Sequence, residues 1–149
     1  MLKKNCMNFT TPVSITKSVH CVDFSSEIIT IGSCFAVNMG AQLDYFKFKN
    51  SQNPFGIYFH PIAIESLIKN AINNKIYTDK DIFFHNEQWH CFESHSKLSS
   101  YCKEELLLNL NTHIKSTYEQ LCKSTHIIIT LGTAWTYRHL EKNIVVSNC

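Results

Sequence analysis

Residues 27–39 have the sequence EIITIGSCFAVNM, and we expect the fold to be built around the turn in this stretch. A run of apolar and β-branched residues at 28–31 meets Gly32, and a helical pattern begins directly after it. In open α/β folds, ligands bind at the edge where parallel strands end and helices begin. The first amides of such a helix have no intrahelical acceptor and can donate to an anion. The stretch therefore predicts a buried strand, a turn at a ligand-binding edge, and a helix from Cys34 to about Tyr45.

Composition limits the class of protein. The chain has 149 residues, 44% of them hydrophobic and 17% charged, which suits a globular domain with a core. Its net charge is +2, and the positive residues are scattered, so no nucleic-acid surface is indicated. The first residues contain no secretory signal, and no run approaches the roughly 18 apolar residues of a membrane helix. We expect a cytoplasmic protein that binds neither nucleic acid nor membrane.

The seven cysteines are predicted to be reduced thiols. They are odd in number, and none forms a C-x-x-C pair, which argues against a zinc ribbon or a redox motif. His90, Cys91 and His95 lie close together in sequence, but no second cluster completes a four-ligand metal site. The sequence therefore predicts no metal and no cofactor, and only Cys34 has a context that suggests chemistry.

The remaining predicted elements alternate between short strands and amphipathic helices. They are a weak strand at 13–16, a strand at 46–49, a polar loop at 50–56, a helix that opens at Pro61, a hairpin of 81–84 with 88–92, a helix over 103–123, a strand at 126–131 and a short strand at 144–146. The long helix should bury the stripe Leu107, Leu110, Ile114, Tyr118 and Leu121. The two Ile-rich strands should be parallel and covered on both faces, so the pattern predicts an α/β fold.

Ser33 and Cys34 are the candidate nucleophiles. A hydroxyl or thiol at a strand-to-helix turn is exposed to substrate, and a helix N-terminus favours a thiolate. An equally good interpretation is that Ser33 caps the helix while Cys34 packs as a small apolar group. The residues alone leave both interpretations open.

Two other turns could complete a site at the same edge. Asn53-Pro54-Phe55-Gly56 could supply the Asn53 amide or the Gly56 N–H as an oxyanion donor, although a tight turn is the simpler interpretation. Gly132-Thr133-Ala134-Trp135 follows the second Ile-rich strand, and free N–H groups of Gly132 and Thr133 could point into the same crevice as substrate or oxyanion donors. The simpler interpretation is that this segment ends the strand.

A nucleophile needs a base within reach. His60, which follows the first of these turns, is one candidate. His90 and His95 are the others. Each is also compatible with a purely structural role.

These blocks together resemble the GSCFA domain family. Ile31-Gly32-Ser33-Cys34-Phe35-Ala36 carries the signature that gives the family its name. The other matching blocks follow in the family's order: Asn53-Pro54-Phe55-Gly56 with Pro61, Trp89-His90 with Phe92, His95-Ser96, and Leu131-Gly132-Thr133-Ala134-Trp135. The resemblance implies a flavodoxin-like three-layer α/β/α fold similar to the SGNH hydrolases, which act on acyl esters and often on esters of carbohydrates.

The resemblance also implies roles for individual residues. Gly32-Ser33-Cys34 overlies the Gly-Asp-Ser block of the SGNH enzymes, which makes Cys34 the nucleophile; a shift of one residue would make it Ser33. Gly56 and Gly132 resemble the glycines of the second and third blocks, but Ala134 stands where those enzymes have an oxyanion asparagine. His90 and His95 are then internal candidates for the base.

The resemblance divides the chain into an extension, residues 1–26, and an incomplete GSCFA domain, residues 27–149. The expected C-terminal Asp-x-x-His is missing, so we expect a truncated domain with little esterase activity by itself. A truncated sheet would expose an apolar edge that invites association. The alternative function is a non-catalytic module that binds an acyl or carbohydrate ligand between Trp89 and Trp135.

Overall fold

Three parallel strands form the centre of this computed structural model, which describes residues 11–147. The strands of the chain are β1 (Glu27–Gly32), β2 (Lys49–Gln52), β3 (Ile82–His85), β4 (Gln88–Cys91), β5 (His126–Thr130), β6 (Tyr137–His139) and β7 (Ile144–Val146). The helices are α1 (Cys34–Tyr45), α2 (Pro61–Ile72) and α3 (Lys103–Lys123). The predicted positions of β1 and of all three helices are confirmed.

The central sheet has the order β2-β1-β5, and both pairings are parallel. Gly32 at the end of β1 is in register with Thr130 at the end of β5. The carboxyl ends of the two Ile-rich strands therefore meet at one edge, and the α/β class with a parallel sheet is confirmed. The three-layer arrangement stays a prediction.

The core lies between β1 and the helices α2 and α3. Ile29 and Ile31 of β1 belong to one buried cluster with residues of both helices, including Leu67 of α2 and Leu110 of α3. Helix α1 packs closely on β2. A side chain at Gly40 of α1 would clash with the Gln52 side chain of β2, so the glycine allows this close approach. The sheet therefore packs against α2 and α3 through β1 and against α1 through β2.

Strand β2 differs from the prediction. A strand was expected at 46–49 and a polar loop from 50, but the structure places the strand at Lys49–Gln52. Lys47 has a φ of +64°, so the chain bends there after α1 rather than extending. Strand β2 forms through its pairing with β1 and does not need an alternation of apolar and polar side chains. Its four residues are all polar, so the hydrophobic pattern did not reveal the strand.

Strand β5 is not covered on both faces, contrary to the prediction. Ile127 and Ile129 are 50% and 47% exposed, whereas Ile29 and Ile31 beside them in β1 are buried. Successive side chains of a strand point to opposite faces of the sheet, and the face of β5 that carries Ile127 and Ile129 is uncovered. The predicted association through a sheet edge stays a prediction.

The buried stripe of α3 is also displaced from the predicted one. The fully buried residues are Leu106, Leu110, Ile114 and Thr117, and Tyr118 is exposed. Leu107 and Leu121 pack against the core only in part. The sequence allowed two neighbouring apolar faces, and packing against α2 selected one of them.

Two hairpins complete the described fold. The predicted hairpin is confirmed as β3–β4, joined by Asn86 and Glu87, which both have positive φ as two-residue hairpin turns require. Strand β7 pairs antiparallel with β6, which was not predicted. Residues 13–16 form no strand. No helix within residues 11–147 is long and apolar enough to cross a membrane.

Candidate functional site

The two glycine ends of β1 and β5 lie against each other. Gly32 has a φ of +138°, and a side chain there would clash with the backbone of Thr130. A Cβ on Gly132 would lie 3.3 Å from the Cβ of Ser33 and 2.8 Å from the ring of Phe59. The turn after β1 and the turn after β5 are therefore in direct contact, as the shared-edge prediction requires.

Ser33 is the N-cap of α1 and connects that helix to β5. Its N–H donates to the Thr130 carbonyl at 3.0 Å and to the Thr130 hydroxyl at 3.1 Å. Its own hydroxyl lies 3.1 Å from the Thr130 hydroxyl and accepts from the Phe35 N–H at 3.3 Å. Ser33 is 6% exposed. The capping interpretation fits this geometry, and the buried, bonded hydroxyl argues against Ser33 as the nucleophile.

Cys34 has the opposite environment. It is the first residue of α1, and its thiol is free and exposed. No acceptor within residues 11–147 binds its N–H, as expected for the first turn of a helix. Cys34 therefore does not pack as a small apolar group. It presents a thiol and an available amide donor at the edge where β1 and β5 end.

Asn53 lies beside the turn at Gly32 and is hydrogen-bonded to it through its side-chain oxygen. Its Oδ1 accepts from the Gly32 N–H at 2.8 Å, and its own N–H donates to the Thr30 carbonyl at 2.8 Å. Its Nδ2 is buried and has no partner in the part of the chain that the structure describes. A buried amide donor without an acceptor is costly unless a water molecule or a ligand supplies one. Asn53 thus keeps its candidacy as an oxyanion donor.

The predicted backbone donors are not free. The Gly56 N–H donates to the Asn53 carbonyl at 2.8 Å, which closes the tight turn. The N–H groups of Gly132 and Thr133 both donate to the Phe59 carbonyl, at 2.8 and 2.9 Å. The expectation that these three amides hold an oxyanion is therefore corrected, because each already has an acceptor.

His60 is a buried structural residue rather than a base. Its Nδ1 accepts from the Ala63 N–H at 3.1 Å, which caps α2, so the proton lies on Nε2. Nε2 then donates to the Val146 carbonyl at 3.0 Å. Both ring nitrogens are used, and the ring joins the start of α2 to β7.

His90 and His95 also lack a free lone pair. His90 donates from Nε2 to the His85 carbonyl at 3.0 Å, and its Nδ1 lies 2.7 Å from the Ser99 hydroxyl. His95 accepts from the Lys97 N–H at Nδ1, at 3.1 Å. Burial, with a smaller effect of Lys97, lowers the pKa of His95. The arrangement argues against either histidine as the general base.

A cleft of about 450 Å³ lies beside the end of β5. Its aromatic wall contains Phe59, Trp135 and Tyr137, and His60, His95 and Thr133 contribute polar atoms. The predicted residues His60, His95, Thr133 and Trp135 are thus brought together, whereas Ser33 and Cys34 do not line this cleft. Trp89 lies elsewhere: its ring is 5.3 Å from that of Phe84, under the Lys103 ammonium. Within residues 11–147, no group of three or more His, Cys, Asp or Glu is arranged to hold a metal ion.

Sequence reasoning missed two residues of this site. Thr130 accepts a hydrogen bond from the Ser33 N–H. The Phe59 carbonyl accepts hydrogen bonds from two backbone N–H groups, and the Phe59 ring lines the cleft. Both Ile-rich strands are followed by a glycine and a small hydroxyl residue, Gly32-Ser33 and Gly132-Thr133, and this shared pattern was the available signal for the region. The roles of Thr130 and Phe59 depend on pairing between distant segments, which no local pattern contains.

Comparisons with known proteins give one match. The model of the family described as the GSCFA family matches residues 27–149. Neither the comparison with curated proteins nor the comparison with solved structures gives a match.

Proposed function

The chain belongs to the GSCFA family, and on that premise we propose that it is an acyl-ester hydrolase domain of the SGNH-like type with Cys34 as its nucleophile. The substrate class is a small-molecule or carbohydrate ester. One observation carries the proposal: Cys34 is an exposed thiol on the first residue of α1, at the shared edge of β1 and β5. Ser33, the competing nucleophile, is buried and committed to Thr130.

The proposed chemistry is acyl transfer to sulfur. The Cys34 thiol loses its proton to solvent, and the resulting thiolate attacks the ester carbonyl carbon. The S–C bond forms, the C–O bond to the alcohol breaks, and the leaving alkoxide takes a proton from water. Water then cleaves the thioester and releases the acid. The developing oxyanion needs donors placed in advance. Within residues 11–147, the N–H of Cys34 and the buried Nδ2 of Asn53 have no hydrogen-bond acceptor, and we assign this role to these two groups.

The general base is not among the residues first proposed for it. His60, His90 and His95 each use the ring nitrogen that would accept a proton. We therefore expect acylation of Cys34 by an activated ester to be faster than steady-state turnover. This expectation makes the acyl-enzyme, rather than the released acid, the species to measure.

The test is acetylation by para-nitrophenyl acetate, with the acetyl group located by mass spectrometry. Cys102 of a Glu104→Gln variant provides the control, because it is exposed, lies at the N-cap of α3 and no longer has the carboxylate to which its thiol donates. We expect Cys34 to be acetylated at least about tenfold faster than Cys102, since one oxyanion donor is worth about 10²–10³ in rate. The acetyl group should be lost in Cys34→Ala and retained in Ser33→Ala and Cys102→Ala. Acetylation of Ser33, or equal rates at Cys34 and Cys102, would overturn the proposal.

A non-catalytic binding module is the second candidate, and the cleft favours it. Trp135 is 82% exposed and lies with Tyr137 on one wall, as aromatic residues do in carbohydrate- and acyl-binding sites. Fluorescence of Trp135 in a Trp89→Phe background would report binding of a sugar ester. Binding that persists in Cys34→Ala, with no acyl transfer in the unmodified chain, would support this function over hydrolysis.

A further inference from the structure

We propose that a second cavity, of about 490 Å³ between the β3–β4 and β6–β7 hairpins, binds a small aromatic carboxylate. The site is separate from Cys34, and the proposal does not depend on the hydrolase function. Its walls are mostly rings, contributed by Phe83, Phe84, His85, His90, Phe92 and His139.

The rings are already arranged for stacking. Phe83 stacks on Phe92, with centroids 4.1 Å apart and planes inclined by 20°. Phe83 also stacks on His90 with centroids 5.4 Å apart, and His139 meets the Phe92 ring edge-on at 5.1 Å. Offset and edge-to-face arrangements are those that aromatic rings prefer. A planar aromatic ligand can join this cluster by the same geometry without rearranging it.

The charges around the cavity favour an anion. None of its lining residues is Asp or Glu. Glu93, which follows Phe92 in the chain, accepts from Lys75 at 2.7 Å and from Asn70 at 2.9 Å. The Lys142 ammonium lies 5.3 Å from the centroid of Phe92. Lys142 would repel a cationic ligand bound against Phe92, whereas it would attract a carboxylate bound there.

Hydrogen-bond donors are available at the same place. The Nδ1 of His139 accepts from the Lys142 N–H at 3.2 Å, so its neutral ring carries the proton on Nε2. Ser96 adds a hydroxyl to the lining. The Ser99 hydroxyl is already bonded to His90 at 2.7 Å. A carboxylate accepts only, so it matches the remaining donors better than an aromatic alcohol or an aromatic amine.

The ring cavity adjoins the cleft at the end of β5. Ser96 lines both cavities. Tyr137 and His139 lie two residues apart on β6 and therefore on the same face, and each lines one of the two. A test of binding must consequently separate the ring cavity from the cleft, which Trp135 marks.

Three naphthalene probes test the proposal: naphthoate, naphthalenemethanol and naphthylmethylamine, titrated into the full chain and followed by their fluorescence anisotropy. We expect naphthoate to bind severalfold more tightly than the neutral probe and the amine to bind most weakly. Lys142→Gln should remove most of this preference, and Phe83→Ser should weaken all three probes about fivefold. Lys47→Gln and Phe46→Ser, at the exposed end of α1, are the matched controls and should change nothing.

Three results would overturn the inference. They are equal affinity for naphthoate and naphthalenemethanol, tightest binding of the amine, and binding that depends on Trp135→Ala instead of Phe83 or Lys142. Lys142 is exposed, so Lys142→Gln keeps the test decisive even if Phe83→Ser fails to fold. Acetylation of Cys34 should be unchanged in Lys142→Gln, so loss of ligand binding and loss of acyl transfer are distinguishable.

Discussion

Helices α1 and α3 both have an exposed cysteine at their N-terminus, but the two helix starts differ in charge. Cys34 is the first residue of α1, and Cys102 is the N-cap of α3. The first turn of α3 contains Glu104 and Glu105, and the Cys102 thiol donates to the Glu104 carboxylate at 3.2 Å. The first turn of α1 contains no acidic residue, and Cys34 is unpaired. A helix N-terminus attracts negative charge. Helix α3 satisfies that attraction with its own carboxylates, whereas α1 leaves it open to an external anion.

The third helix start, at α2, offers the largest expected effect on stability. His60→Ala removes the cap of α2, the hydrogen bond to Val146 and a fully buried ring. We expect a loss of about 3 kcal/mol in the free energy of unfolding, because a cap is worth about 1 kcal/mol and the cavity adds the rest. Urea denaturation measures it, with the exposed His20→Ala as control. A loss similar to that of the control would show that α2 does not depend on its buried cap.

Asn53→Asp tests whether the open start of α1 stabilises an oxyanion. The substitution keeps an oxygen that can accept from the Gly32 N–H but replaces the unpartnered Nδ2 donor. We expect acetylation of Cys34 to slow about 100-fold, since a lost donor becomes an acceptor next to the developing charge. Stopped-flow measurement of the first nitrophenolate release checks it. An unchanged rate, with the thermal midpoint also unchanged, would remove Asn53 from the site.

Glu104→Gln should make the start of α3 more like that of α1. Removal of the carboxylate that binds the Cys102 thiol leaves Glu105 as the one acidic residue of the first turn, so the helix N-terminus stabilises a Cys102 thiolate better. We expect iodoacetamide to alkylate Cys102 roughly threefold faster, with no change at Cys34. Cys91 serves as an internal reference, because burial raises the pKa of its thiol to about 11 and it should react last. An unchanged rate at Cys102 would show that Glu104 does not control its reactivity.

The smallest effect concerns pH and the cleft. Burial lowers the pKa of His95 in the folded chain, so the unfolded chain binds a proton at this residue more readily. The contribution of His95 to the free energy of unfolding is therefore fully present above its unfolded pKa of about 6.5, and it is lost as the pH falls below that value. Thermal midpoints of the unmodified chain and of His95→Asn should diverge between about pH 7 and pH 5. Parallel curves over this range would contradict the assignment.

The features that local patterns controlled were predicted well. Helix α2 follows from Pro61 at its first position and from its regular apolar face, and the β3–β4 hairpin follows from its short turn. Strand β2 was displaced because its polar residues form a strand only through pairing with β1. The full cover expected for β5 was wrong because composition does not reveal which face of a strand other elements cover.

The sequence by itself determined the α/β class, the strand–glycine–helix turn at Gly32, and the family blocks, because each depends on neighbouring residues in the chain. Only the tertiary structure decided that Ser33 is hydrogen-bonded and buried and that the Cys34 thiol is exposed. The partner that commits Ser33 is Thr130, which is 97 residues away in the chain. The same holds for His60, whose ring is held by Val146. Hydrogen-bond partners from distant segments decide which groups keep their donors and lone pairs available, and these partners meet only in the folded chain.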